Sequence, residues 1–380
     1  MTDVSSNPTR VIVNLDRLAH NMRLLSEMAE GRPLWPAVKA NAYGHGAEII
    51  ARALGRQGST KLCVATVTEA VALHAAGVDA QFIVLSAPLP EQASLCVEYG
   101  LEPVVCTEAS VRALATAASA AAREIGVHLK VDTGMGRLGV APAQLAGLLS
   151  LCRELPGVRV AGVMSHLPRA DEADKSFSLE QITAFERLRG ELDPDHSLVF
   201  HLANSAAVLD LPGALFDAAR PGIAIYGIRP SAEIASPRAA ELQPVLEWRT
   251  RVSFIKDVPA GTGLSYGHEY RTSGRSRIAT LPVGYGDGLA RRASAASCGA
   301  EVLVRGVRCP LVGRVTMDQC LADVTQLREE VALGDDVVLI GRQGGEEITA
   351  EELATRLGTI AYEIVTGISA RVPREIDDSG

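Results

Sequence analysis

Three basic side chains stand where apolar runs end: Lys39 after LWPAV, Arg137 just beyond Lys130-Val131-Asp132, and Arg220 within ARPGI. A lysine at the end of a buried run is costly unless it is paired or chemically employed. A partly desolvated amine has a lowered pKa and suits Schiff-base chemistry; a lysine that only reaches the rim fits the same position. Taken together, three cations on strand ends of one fold point to an anionic ligand. Asn204-Ser205 and Gly222-Ile223, at the ends of late runs, offer the hydroxyl and backbone N–H groups of a phosphate cradle. His166 ends the run VRVAGVMSH, where a single histidine is more often a hydrogen-bonded core residue than a catalyst. Further on, Gly263-Leu264-Ser265-Tyr266-Gly267 places a tyrosine between glycines, which lets the backbone bend tightly and expose the ring. Gly313-Arg314-Val315-Thr316-Met317-Asp318 ends another apolar run with an acid. Packed turn residues would explain both segments as well.

One motif points elsewhere. KVDTGMGRLG contains the GxGxxG spacing of a dinucleotide fingerprint. The next run ends without the acidic residue a ribose needs, and Arg137 intrudes between the second and third glycines. A dehydrogenase is therefore set aside. No HExxH, HxH or clustered Cys/His spacing is present, so no metal site is expected.

The elements that must position these residues follow from periodicity. Up to about residue 230, short apolar runs alternate with helical stretches: LWPAVKAN (34–41), KLCVATV (61–67), QFIVLSA (81–87), EPVVC (102–106), VHLKVD (127–132), VRVAGVMSH (158–166), LVFHLAN (198–204) and the broken run ALFDAARPGIAIYG (214–227). Buried strands alternating with helices imply parallel βα units, and eight of them predict a closed (β/α)8 TIM-type barrel. An amphipathic helix (15–31) precedes the first strand. After a Pro/Ala/Ser-containing stretch (228–244) the pattern changes to period two with Gly-rich turns, which predicts a mostly antiparallel β domain with one late helix, AEELATRLG. The expected division is a barrel over 1–242 and a β-rich domain over 243–380.

Composition narrows the class. Hydrophobic residues make up 47% and charged residues 22%, enough for a sizeable core. With 45 acidic against 37 basic residues the net charge is −8, which disfavours nucleic acid and anionic membranes as partners. The N-terminus shows no signal-peptide pattern, and no stretch of the sequence is apolar for long enough to read as a membrane span. Seven scattered cysteines without a CxxC pair read as reduced, buried thiols of a cytoplasmic enzyme.

AVKANAYGHG around Lys39, then KVDTGMGRLG, MSHL, HLANSAA, RPGIAIYG, LSYG, VGYGDG and GRVTMDQ follow one another in the order found in the alanine racemases. The chain resembles that family over almost its whole length. The resemblance implies a fold-type III enzyme that racemises a small amino acid, alanine, with pyridoxal 5'-phosphate, either to supply D-alanine for peptidoglycan precursors or in alanine catabolism. It implies that Lys39 carries the cofactor and serves one face of the substrate α-carbon, while Tyr266 of the partner subunit serves the other, so that a homodimer shares its active sites. Arg220 would hydrogen-bond the pyridine nitrogen, with His166 behind it. Arg137 would contact the cofactor's phenolate oxygen and the substrate. Tyr43, Ser205, Gly222 and Ile223 would hold the phosphate, with Asn204 beside them. The backbone at Met317 would help hold the substrate carboxylate and Tyr285 would line the entrance. Lys130 matches a lysine that is carbamylated in some members.

One departure bears on substrate range. Ala370 stands where many members carry a tyrosine that narrows the pocket, which leaves a serine racemase or one of broader specificity as an alternative. The related decarboxylases carry a Cys-Asp motif where this chain has Thr316-Met317-Asp318. A non-enzymatic pyridoxal-phosphate-binding protein would be a barrel alone.

Overall fold

Six parallel strands pair in chain order: Lys61–Val64, Gln81–Val84, Glu102–Val105, Ile125–Lys130, Val158–Met164 and Phe200–His201. The structure is a computed structural model describing residues 7–293 and 298–377. Ile125–Lys130 is buried at every position, as a strand covered on both faces must be. Two further segments close the ring through single parallel bridges: Ala37 to Cys63, Leu34 to Ala219 and His201 to Ala218. The first and eighth expected strands are thus reduced to bridges. Pro33, Pro36 and Pro221 lack the N–H that a regular ladder needs. The closure instead uses their carbonyls, which accept from the N–H groups of Ala219 (3.0 Å), Cys63 (2.8 Å) and Ala37 (2.9 Å).

Helices alternate with these strands, among them Val67–Ala75, Glu108–Ala120, Leu145–Glu154 and Ser176–Leu192. Thr66 and Glu69 form a full capping box, and the Thr107 hydroxyl accepts from the Ser110 N–H at 3.1 Å. The helix expected over 15–31 is Leu15–Met28, with Leu18, Asn21, Leu24 and Leu25 on its buried face.

The chain forms two compact units. One comprises Leu18–Ala42 and Ala47–Gln243; the other comprises Met1–Arg17, Tyr43–Gly46 and Pro244–Gly380. In the second unit a sheet runs in the order Val307–Pro310, Glu301–Val304, Asp336–Gln343, Leu246–Arg251, Arg10–Val13 and Arg374–Ile376, antiparallel except for its last pair. A three-stranded antiparallel sheet joins Cys320–Asp323, Ser276–Leu281 and Phe254–Val258. The expected helix is Ala350–Leu357, capped by Thr349. A second, Ala361–Gly367, follows; it buries Ala361, Ile364 and Val365 at helical spacing, a signal masked by β-branched Ile-Val-Thr. No described helix is long and apolar enough to cross a membrane.

Candidate functional site

Lys39 ends the first barrel run, and the backbone reverses its hand immediately after it. Ala40, Asn41, Ala42 and Tyr43 all have φ between 51° and 54°, the left-handed region. Such a turn costs about 1–2 kcal/mol per residue for side chains with a Cβ, so it needs specific restraint. The Glu69 carboxylate that caps its own helix also accepts from the Ala40 N–H at 2.7 Å. The Asn41 side chain accepts from Ala47 N–H at 2.8 Å, and Val38 C=O accepts from Ala42 N–H at 2.8 Å. The lysine is therefore held at a sharply defined corner. Burial lowers its pKa, and the Arg137 and Arg220 charges push in the same direction.

Lys130 and Arg220 lie deeper. Lys130 ends the strand Ile125–Lys130; burial, reinforced by Arg220, brings its pKa down to about 7. Arg220 is buried, which lowers its pKa to about 10, so it remains a cation at neutral pH. Its guanidinium donates to His201 Nδ1 (2.6 Å) and to the carbonyls of His201 (2.8 Å), Ser165 (2.7 Å) and Leu202 (3.2 Å). These acceptors are neutral, so among the described residues none of them cancels its charge. His166 is kept unprotonated by burial and then by the Arg220 charge. Arg137 sits exposed on the loop beyond Asp132.

Ser205 opens the helix Ser205–Asp210, and its hydroxyl oxygen accepts from Gly222 N–H at 2.8 Å and Ala224 N–H at 3.2 Å. With both lone pairs engaged, its own proton is left to donate. Asn204 is the N-cap of that helix, accepting from Ala207 N–H at 3.0 Å and donating to Leu167 C=O at 3.1 Å. Ile223 begins the 3-10 turn Ile223–Tyr226. Lys39, Lys130, Arg137, His166, Asn204, Ser205, Arg220, Gly222 and Ile223 thus share one unit.

The glycine-rich loop after Lys130 is already filled. The Asp132 carboxylate accepts from Gly134 N–H at 2.9 Å and from Gly136 N–H at 2.9 Å. Those are the groups a pyrophosphate would use, and an anion already engages them. The dehydrogenase reading fails on this ground.

Tyr43, Tyr266, Tyr285 and Met317 belong to the other unit. Tyr43 is buried, with its ring centroid 6.2 Å from that of Tyr362. The other three are exposed: Tyr266 by 72%, Met317 by 53% and Tyr285 by 43%. Their backbones are nevertheless tightly held. Ser265, Gly267 and His268 all take positive φ around Tyr266, and Ser265 Oγ donates to Arg314 C=O at 2.6 Å. Tyr285 N–H donates to Thr316 C=O (3.0 Å) and Gly286 N–H to Met317 C=O (2.8 Å). Ala370 is exposed.

Two groups of residues escaped the sequence reading. One is Arg371, which pairs with buried Asp287 (2.7 Å), pairs with Asp318 (2.9 Å) and donates to Met317 C=O (3.3 Å). The acids in VGYGDG and in GRVTMDQ were its signal. The other is the row His201, His128, Glu102 and Lys61 inside the barrel. His128 stands two residues before Lys130, on the same strand face, and that spacing could have found it.

A family model described as alanine racemase, N-terminal domain, matches residues 13–230, and one described as alanine racemase, C-terminal domain, matches 245–376. Alanine racemases of Halothermothrix orenii and Symbiobacterium thermophilum are 42% and 44% identical to the chain; each comparison covers 97% of the chain, and 97% and 96% of the respective relatives. The crystal structure of alanine racemase from Bacillus anthracis with bound L-Ala-P superposes with a TM-score of 0.90 at 38% identity, covering 98% of this chain and 96% of that one. Alanine racemase from Streptomyces coelicolor A3(2) gives a TM-score of 0.90 at 38% identity, covering 98% of both chains.

Proposed function

The chain belongs to the alanine racemase family, whose enzymes interconvert L- and D-alanine with pyridoxal 5'-phosphate, and from that premise we propose that Lys39 and Tyr266 are its two opposed bases, Tyr266 acting in the partner subunit of a homodimer. The observation that carries this reading is a contrast. The Lys39 amine is desolvated at a fixed corner, whereas the Tyr266 phenol is presented to solvent on an equally fixed turn.

The residues fit the cofactor. Lys39 supplies an amine of lowered pKa, Ser205 supplies a hydroxyl proton for a phosphate oxygen, and Arg220 supplies a guanidinium whose acceptors are all neutral. Bound pyridoxal phosphate acidifies the substrate's α-hydrogen by spreading the electron pair left behind. Racemisation then asks one residue to take that hydrogen from one face and another to return one to the opposite face. Lys39 holds or releases a proton at Nζ; burial and the Arg137 charge favour the neutral amine. Tyr266 of the partner subunit would do the same at its phenol oxygen. Arg220 keeps its proton at neutral pH and so would donate to the pyridine nitrogen without giving it a full charge. Arg137 would contact the cofactor's phenolate oxygen and the substrate, the backbone at Met317 would help hold the substrate carboxylate, Tyr43, Gly222 and Ile223 would help hold the phosphate, and Tyr285 would line the entrance. A neutral Lys130 amine is the form that carbamylation requires, and the added carboxylate would steady Arg137. The same reading places the enzyme in the cytoplasm, in keeping with seven scattered cysteines that form no CxxC pair.

The test is racemisation of L-alanine and L-serine side by side with added cofactor, read by chiral chromatography. Alanine is expected to turn over faster, with Ala370 a tolerated variation; serine equal or ahead would recast the enzyme as one of broader specificity. Lys39→Ala is expected to lose the visible absorbance of lysine-bound cofactor together with racemisation. If that absorbance persists, Lys39 is not the attachment point.

A further inference from the structure

We propose that Glu102, at the amino-terminal rim of the barrel, is a positioning residue for Arg220, because it fixes through His128 and His201 the imidazole nitrogen that Arg220 meets. The contacts form one row. Arg220 Nη1 lies 2.6 Å from His201 Nδ1; His201 Nε2 lies 2.9 Å from His128 Nδ1; His128 Nε2 lies 3.1 Å from Glu102 Oε2. Lys61 Nζ donates to the same carboxylate oxygen at 2.6 Å, and Arg159 approaches Glu102 Oε1 at 3.7 Å. Both His rings are fully buried, and Trp35 packs edge-on against each, at 4.8 and 5.8 Å between centroids.

The two ends of the row dictate every proton in it. A guanidinium only donates, so His201 Nδ1 must be bare and its proton must sit on Nε2. That proton faces His128 Nδ1, which must also be bare, so the His128 proton sits on Nε2 and faces a carboxylate. Both rings are thus neutral and in the same tautomer. Burial keeps each below its ordinary pKa, helped at His201 by Arg220 and opposed at His128 by Glu102. Burial alone would raise the Glu102 pKa, but its bonds to His128 and Lys61 outweigh that and bring it to about 2, so the acceptor is permanently charged.

The barrel makes room for this row. A Cβ on Gly162 would stand 2.8 Å from His128 Nδ1, and one on Gly126 would stand 3.3 Å from Glu102 Cγ. Without an acceptor at Glu102, the buried His128 Nε2–H is left unpaired, a cost that His128 relieves by moving its proton to Nδ1 against the preference set by Arg220. His201 would then accept at Nε2 and turn an Nδ1–H toward Arg220, setting donor against donor. The guanidinium would have to leave its position.

That Arg220 meets the cofactor rests on the function proposed above, whereas the histidine tautomers do not. A guanidinium that holds its proton restrains the charge taken up by the ring. This disfavours the side reaction that leaves the cofactor as its amine and alanine as pyruvate.

The experiment compares the wild-type holoenzyme with Glu102→Ala and Glu102→Gln. It reads the two tautomers by long-range nitrogen–proton NMR on histidine-labelled protein, and it measures pyruvate released per racemisation. The expected result is Nε2–H on both rings in the wild type and in Glu102→Gln, whose carbonyl still accepts. Glu102→Ala should lose that state and raise the pyruvate ratio about tenfold, the scale of a buried donor left without an acceptor, with KM little changed. A tautomer change with an unaltered pyruvate ratio would uphold the row and count against Arg220 as the cofactor's partner. Parent tautomers and ratio in Glu102→Ala, with only a lower melting temperature, would overturn the proposal. An Nδ1–H on either ring of the wild type overturns it even if Glu102→Ala does not fold.

Discussion

The barrel unit and the β unit prepare their chemical groups in opposite ways. In the barrel, Lys39, Lys130 and Arg220 are stripped of water, and burial is the first cause of the lowered pKa of each. In the β unit, Tyr266, Tyr285 and Met317 stay exposed while their backbones are fixed by neighbouring turns and carbonyls. Desolvation tunes reactivity within one unit; backbone restraint without desolvation holds a surface ready for something to cover it. That contrast is the basis on which we propose a homodimer, with a second copy of the chain covering the exposed groups.

The comparison breaks most readily at Tyr266. Tyr266→Phe is expected to lower racemisation about 10²–10⁴-fold, the ordinary contribution of a positioned acid or base. Its melting temperature should hardly move, because the change removes only the hydroxyl of a ring that its own chain leaves exposed. Unchanged turnover in both directions would remove Tyr266 from the chemistry.

Arg371→Gln probes the backbone restraint. It leaves buried Asp287 short of its partner and frees the loop carrying Met317. KM for alanine should rise about tenfold, on the scale of one buried charge-assisted contact; an unaltered KM would mean that the clamp does not organise this surface.

The smallest effect sharpens the barrel side. Burial lowers Lys130 from 10.5 to about 7, so below about 7 the folded chain bears the cost of a buried charge. As pH rises from about 7 toward 10.5 the folded form has lost that proton while the unfolded form still binds it, and stability recovers. Lys130→Met should therefore raise the melting temperature most in acid, with the gain fading through that window. An equal gain at every pH would show that Lys130 is not charged there.

The barrel was legible because doubly covered strands leave unbroken apolar runs, and the β unit because half-covered ones alternate. Closure through bridges at Leu34, Ala37 and Ala218 was not legible: prolines in those runs spoil the ladder without spoiling the hydropathy. Lys39, Arg137 and Arg220 announced themselves as charges at the ends of apolar runs. His128, His201 and Glu102 did not, because a polar row inside a barrel depends on contacts between strands distant in sequence. Asp132 shows the converse, since a spacing that imitates a nucleotide loop is occupied by the chain's own carboxylate.

The central claim, one base from each subunit, is tested most directly by mixing two inactive variants. Lys39→Ala and Tyr266→Phe chains are dissociated, combined in equal amounts and reassociated, and alanine racemisation is measured. If Tyr266 serves the partner's Lys39, half of the dimers are mixed, each has one intact site, and about a quarter of wild-type activity returns. If both bases come from one chain, every site carries one lesion and the mixture stays as inactive as its parents.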